Sequence, residues 1–184
     1  MSAGLVDSHG AAIGETDAGR AEEGGRRAEG FATRPVLQGT LGMVAAGHYL
    51  ASAIGLCVLE QGGNAIDAGV AAGIAVNVLK PQSNGIGGEV PILIHHAASG
   101  ESFAVNGQGW APRRATIGWF RERGISLIPA DGFLPATVPA AFGSWCAALE
   151  RFGTASIEDV LGPSVELAES GFPLYATLRS EAHV

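Results

Sequence analysis

The sequence predicts an α+β fold, an antiparallel sheet with helices packed on it, and three observations carry that reading. Helical and strand-like stretches come in blocks (helix, helix, hairpin, then more helices) rather than alternating as βαβ units would. Two strand-like runs, "VPILIHH" and "ESFAVNG", are separated by "AASG", where Ser99 and Gly100 can make a hairpin turn. The chain has 184 residues, enough for one domain with a real core, and is 47% hydrophobic but only 16% charged. Charged residues are usually nearer 25%, so much of the surface is expected to be covered by further chain or by a partner.

Residues 1–33 carry Gly, Ala, Glu and Arg without a periodic apolar pattern and read as a disordered tail. They lack the basic start and apolar stretch of a signal peptide, which points to the cytoplasm. From residue 34 onward the texture is that of a folded domain. "RPVLQGTLGMVAAGH" reads as an extended segment leading into a helix. Leu50, Ile54, Cys57, Val58 and Gln61 then fall at helical spacing, and Gly62 and Gly63 supply a left-handed stop. Asn64 is an N-cap for the next helix, with Asp67 at the third position in a capping-box arrangement.

That second helix, 65–79, is apolar on every side until Asn77 and Lys80, and Pro81 ends it. It is too short and too broken by Gly69 and Gly73 to cross a bilayer, so it should be sandwiched between layers. Beyond the hairpin, helices are expected over 115–123, 138–151 and 157–170. Ser156 and Asp159 cap the last of these, and Gly162 and Pro163 interrupt it.

Several function classes fall away. The net charge is −7 and the eleven Lys and Arg are scattered, so nucleic acid is not an expected partner. Cys57 and Cys146 lack ligand or redox spacing and read as reduced core thiols. His95 and His96 are neighbours on a strand and point to opposite faces, so no shared metal is expected. His48, Ser52 and Asp67 could be imagined as a triad, but Asp67 is better used at a helix start and no GxSxG elbow is present. Trp110, Trp119, Phe120, Phe133 and Trp145 read as core, and Arg113 with Arg114 as a solvated surface pair.

The loop "NGIGGE" at 84–89 invites a phosphate reading. A dinucleotide fingerprint leaves a strand and opens a helix, whereas Gly85, Gly87 and Gly88 leave a helix and open a strand. Glu89 stands where a phosphate-binding loop needs Lys, so no nucleotide cofactor is expected. Glycines at the entry to a sheet instead allow another segment to come within backbone contact.

"GMVAAGHYLASAIGLCVLEQGGNAIDAGVAAGIAVNVLKPQSNGIGGEVPILIHH" resembles the start of the large chain of the gamma-glutamyltransferase (gamma-glutamyltranspeptidase) family, with its GMVA–H–LAS opening, GGNAxDA turn and SxGIGGG loop. The likeness continues through "WAP", "LPATVPAAFGSW" and "LGPSVELAESGF", over about 35 to 175. It implies part of a four-layer αββα sandwich of the N-terminal nucleophile hydrolase type. There a precursor cuts itself, and the freed threonine attacks the amide of a small-molecule substrate.

No threonine here is followed by Thr-His, as the family's nucleophile is, so the resemblance implies an N-terminal fragment whose catalytic residue lies on a C-terminal partner chain, and whose helix 65–79 is incompletely covered without the layers that chain supplies. It also implies one substrate-binding position, Gln108. Relatives commonly carry an Arg-Glu pair before Ala-Pro, the Arg clamping a glutamyl carboxylate, where this chain has Gln108 and Gly109. Losing such a buried charged contact typically costs about 2–5 kcal/mol, enough to change substrate class. The expected donor is then an amide other than a γ-glutamyl compound, as in a related branch that hydrolyses small oxo-acid amides such as oxamate. The alternative is a catalytically silent scaffold or interaction fragment.

Overall fold

The computed structural model describes residues 36–181, so the tail expected over 1–33 lies outside the described residues. Helix α1 (Tyr49–Glu60) is followed by α2 (Ala65–Leu79), the strands β1 (Ile92–His96) and β2 (Glu101–Val105), and then α3 (Ile117–Arg121), α4 (Ala141–Phe152), α5 (Ile157–Ser170) and α6 (Ala176–Glu181). The two strands pair antiparallel with Ile94 opposite Phe103. Gly100, at a φ of 70°, turns the hairpin, and its N–H donates to the His96 carbonyl.

Local signals place these elements. Gly62 has a φ of 95°, a conformation that favours glycine, and it ends the α1 turn. The Asn64 side chain accepts from the N–H groups of Ile66 and Asp67 while the Asp67 carboxylate accepts from the Asn64 N–H, the reciprocal box that starts α2. Ser156 and Asp159 repeat that arrangement at the start of α5.

Helix α2 is the central element, packed against α1, α4 and α5, and α4 in turn lies on β2. The main core joins Val58 of α1, Ala68, Val70, Ala71 and Ile74 of α2, Ile94 of β1, Trp145, Ala148 and Leu149 of α4, and Val160 of α5. Small side chains let the layers close: a methyl group added at Gly55 would meet the Ala68 carbonyl at 2.9 Å, and one at Gly73 would meet the Trp145 indole nitrogen at 3.3 Å.

Asp67 ties the second half of the chain to this centre. Its carboxylate is fully buried and, besides capping Asn64, accepts from the Thr154 N–H at 2.9 Å, the Thr154 hydroxyl at 2.6 Å and the Ala155 N–H at 3.1 Å. The Asn64 amide adds a bond to the Phe152 carbonyl at 2.7 Å. One short stretch thus starts α2 and fixes the bend between α4 and α5.

Several expectations need correction. Helix α2 is not left bare: Ala65 and Gly69 are its only exposed residues, because its alanines and glycines admit α1, α4 and α5 closely. The most exposed large apolar side chains include Leu93 on the outer hairpin face and Trp110 and Phe133 in loops, at 88%, 85% and 96%, so Trp110 and Phe133 are not core. Cys57 is exposed, beside α5 residues such as Pro163 and Glu166, and so is not a core thiol, while Cys146 is half-buried. Helix α5 runs unbroken through Pro163, and α3 is shorter than the 115–123 expected.

Candidate functional site

Gln108 sits on the segment leaving β2, and backbone contacts on both sides fix it. The Gly107 N–H closes a tight turn onto the Val105 carbonyl, and the Gly107 carbonyl accepts from the Val90 N–H at 3.0 Å. Two residues past Gln108, the Trp110 carbonyl accepts from the Val138 N–H at 2.9 Å. The Gln108 N–H reaches the Asn106 side-chain oxygen at 3.4 Å, and the residue is exposed to solvent.

The flanking glycines are required by this packing. A methyl group at Gly107 would land on the Val90 carbonyl, and one at Gly109 on the Val138 carbonyl. Close approach is therefore real, but it occurs here rather than at Gly85 and Gly87, which have nothing within 4 Å. Of the 84–89 loop, Gly88 makes the backbone contact: its carbonyl accepts the N–H groups of Ala140 and Ala141 at the start of α4. Gly107→Ala is expected to lower stability by about 1–3 kcal/mol, with Gly85→Ala within about 0.5 kcal/mol, in paired urea unfolding curves.

The other candidates resolve into structural roles. His48 caps α1, its Nδ1 accepting from the Leu50 N–H at 3.3 Å. Burial, and then the nearby Lys80 ammonium, push its pKa below the ordinary imidazole value, which keeps that nitrogen free to accept. Ser52 bonds to the Ala46 N–H and the His48 carbonyl, and Asp67 is held by Thr154, so the three do not form a triad. His95 pairs with Ser102 and His96 with Ser99, and no group of three or more metal-ligating side chains occurs among the described residues.

Sequence reasoning missed the Thr154 side of the Asp67 site and the bracing of Gln108 by Gly107 and Gly109. The Gly-x-Gly pattern around Gln108 was a visible signal for the second; nothing near Thr154 announced the first. Among the described residues no helix is long and apolar enough to cross a membrane.

A sequence model of the family described as Gamma-glutamyltranspeptidase matches residues 51–184. The chain is 38% identical over 141 residues to a glutathione hydrolase proenzyme of Bacillus subtilis (strain 168), covering 74% of this chain and 24% of that protein. It is 39% identical over 144 residues to the Acylase ACY 1 proenzyme of Pseudomonas sp. (strain V22), covering 73% and 25%. Among solved structures, the cephalosporin acylase from Bacillus halodurans superposes with a TM-score of 0.75 at 36% identity, covering 82% of this chain and 28% of that one. The chain therefore spans about a quarter of the length of these curated relatives. The α+β layering, the motif order and these matches agree, and the chain belongs to the gamma-glutamyltranspeptidase family.

Proposed function

We propose that this chain is the N-terminal part of an enzyme that breaks an amide bond by acyl transfer to water or to an amine. Its nucleophilic threonine comes from polypeptide beyond the quarter of the relatives' length spanned here. The names of the glutathione hydrolase and acylase relatives, both proenzymes, support hydrolytic acyl chemistry by an enzyme made as a precursor, and the family resemblance supplies the cut into two chains. A threonine hydroxyl is a weak nucleophile, and the α-amine exposed by such a cut is positioned to take its proton.

Gln108 carries the specificity part of this reading. By the family resemblance it takes the position of the Arg that clamps a carboxylate in glutamyl-specific members, with Gly109 in place of Glu, and it lies on a loop braced from both sides. A carboxamide donates and accepts hydrogen bonds without charge, so it suits an acyl group that is neutral at this position and gives up the strong fork on an α-carboxylate. The acyl donor is then an amide other than a γ-glutamyl compound, of the acylase kind.

The test uses the complete enzyme encoded with its downstream half. It should cleave a neutral acyl p-nitroanilide in preference to γ-glutamyl-p-nitroanilide. The double change Gln108→Arg with Gly109→Glu should raise kcat/KM for the γ-glutamyl compound on the order of 10- to 100-fold relative to the neutral one. A wild-type preference for the γ-glutamyl donor would overturn the specificity claim. Failure to release p-nitroaniline from any anilide would favour a silent scaffold instead.

A further inference from the structure

The loops on either side of α3 form a groove of about 320 Å3 whose lining includes Pro112, Arg114, Trp119, Arg123, Phe133 and Leu134. Its floor is built rather than incidental. Thr116 caps α3 by accepting from the Trp119 N–H at 3.2 Å, and Gly124, at a φ of 69°, turns the chain so that the Ile125 N–H returns to the Phe120 carbonyl. Phe120 is buried and meets the Trp119 ring edge-on at 5.0 Å.

On this floor Arg123 is already oriented. Its guanidinium lies 3.9 Å from the Trp119 ring centre and donates one N–H to the Trp119 carbonyl at 3.0 Å. The neighbouring carboxylate of Glu122, at 3.9 Å and largely exposed, is a weak competitor for it. Arg114, in the same lining, has no ion-pair partner among the described residues. Between 113 and 123 the chain carries four arginines and one glutamate, against −7 for the whole chain, so positive charge gathers at an aromatic surface.

We propose that this groove binds a small aromatic carboxylate, the ring lying against Trp119 and Phe133 and the carboxylate taken by Arg114 and the free edge of the Arg123 guanidinium. Planar guanidinium forks match carboxylate geometry, and the stacked Arg123 loses little freedom on binding. The aromatic walls select a ring over an aliphatic chain of similar length, and a bare inorganic anion would leave Phe133 and Leu134 in water. The volume fits one ring with a short side chain.

Phenylacetate titrated into the full chain tests this, read by tryptophan fluorescence and by calorimetry. Saturable quenching with a Kd on the order of a millimolar is expected, as suits a ligand of this size. Phenylacetamide, which keeps the ring and loses the charge, and acetate, which loses the ring, should each bind at least about tenfold more weakly. Arg114→Gln and Arg123→Gln should each weaken phenylacetate about tenfold, with far-UV circular dichroism unchanged because both side chains are surface groups. Equal binding of phenylacetamide, an unchanged Kd in both variants, or no saturation with phenylacetate would overturn the assignment. None of these readouts depends on amide cleavage, so the proposed enzymatic activity can fail while this site stands.

Discussion

Replacing Trp145 by alanine should lower the unfolding free energy by about 3–5 kcal/mol, the range for removing a large buried aromatic side chain. Trp145 is 4% exposed and stands where α4 faces α2, with Gly73 leaving room for the indole. The hollow beside it is lined mainly by small α2 residues, Gly69, Ala72 and Gly73, with Val44, Val76 and Val90 at its rim, so the vacated space would be refilled only in part. In a domain of this size each kcal/mol corresponds to about 2–4 °C in Tm, so thermal unfolding should shift down by roughly 6–20 °C. Trp145→Phe keeps most of the apolar volume and should cost less than half as much. Equal losses in the two variants would mean that the indole edge, not its volume, carries the packing.

Asp67→Ala should cost about 2–4 kcal/mol, because it leaves the N–H groups of Asn64, Thr154 and Ala155 without their acceptor. The pH dependence separates this from simple loss of packing. Burial pushes the Asp67 carboxyl up, but the Thr154 hydroxyl and the N–H groups of Asn64, Ala155 and Thr154 outweigh it and hold the pKa below the ordinary carboxylate value. A carboxyl whose folded pKa is depressed contributes stability that is fully present above its unfolded value of about 3.9 and is lost as pH falls through the lower folded value. Below about pH 4, therefore, the native chain should lose stability more steeply than Asp67→Asn, which cannot titrate at that position. Asp159, lowered by the Ser156 hydroxyl and N–H, remains in both proteins and leaves the comparison intact. Parallel acid limbs for the two proteins would remove Asp67 from the account.

Punctuation was the part of the fold most legible in the sequence. Asn64 with Asp67, Ser156 with Asp159, and the turns at Gly62 and Gly100 all act over three or four residues, so their partners lie in the same short window. Burial was less legible, because it depends on what packs from elsewhere. Trp110 and Phe133 have core chemistry but sit on loops with little chain above them, and α2 is covered because Gly55 and Gly73 admit their neighbours closely. Pro163 does not break α5: a local rule that disfavours proline inside a helix yields here to the packing of α5 on α2. Gln108 was found through family resemblance, and its bracing by Val90 and Val138 comes from segments 18 and 30 residues away, which periodicity cannot see.

The bonds from Asp67 to Thr154 join positions 87 apart in the chain. A ribosome adding about 5–20 residues per second exposes the aspartate on the order of ten seconds before its threonine. Through that interval the carboxylate has only its own helix start and water to satisfy it, so the first helical pair emerges with a hydrated charge at the place where the later helices must dock. Newborn chains should therefore hold this corner open until the threonine arrives, and a chaperone or protease would find its opening there.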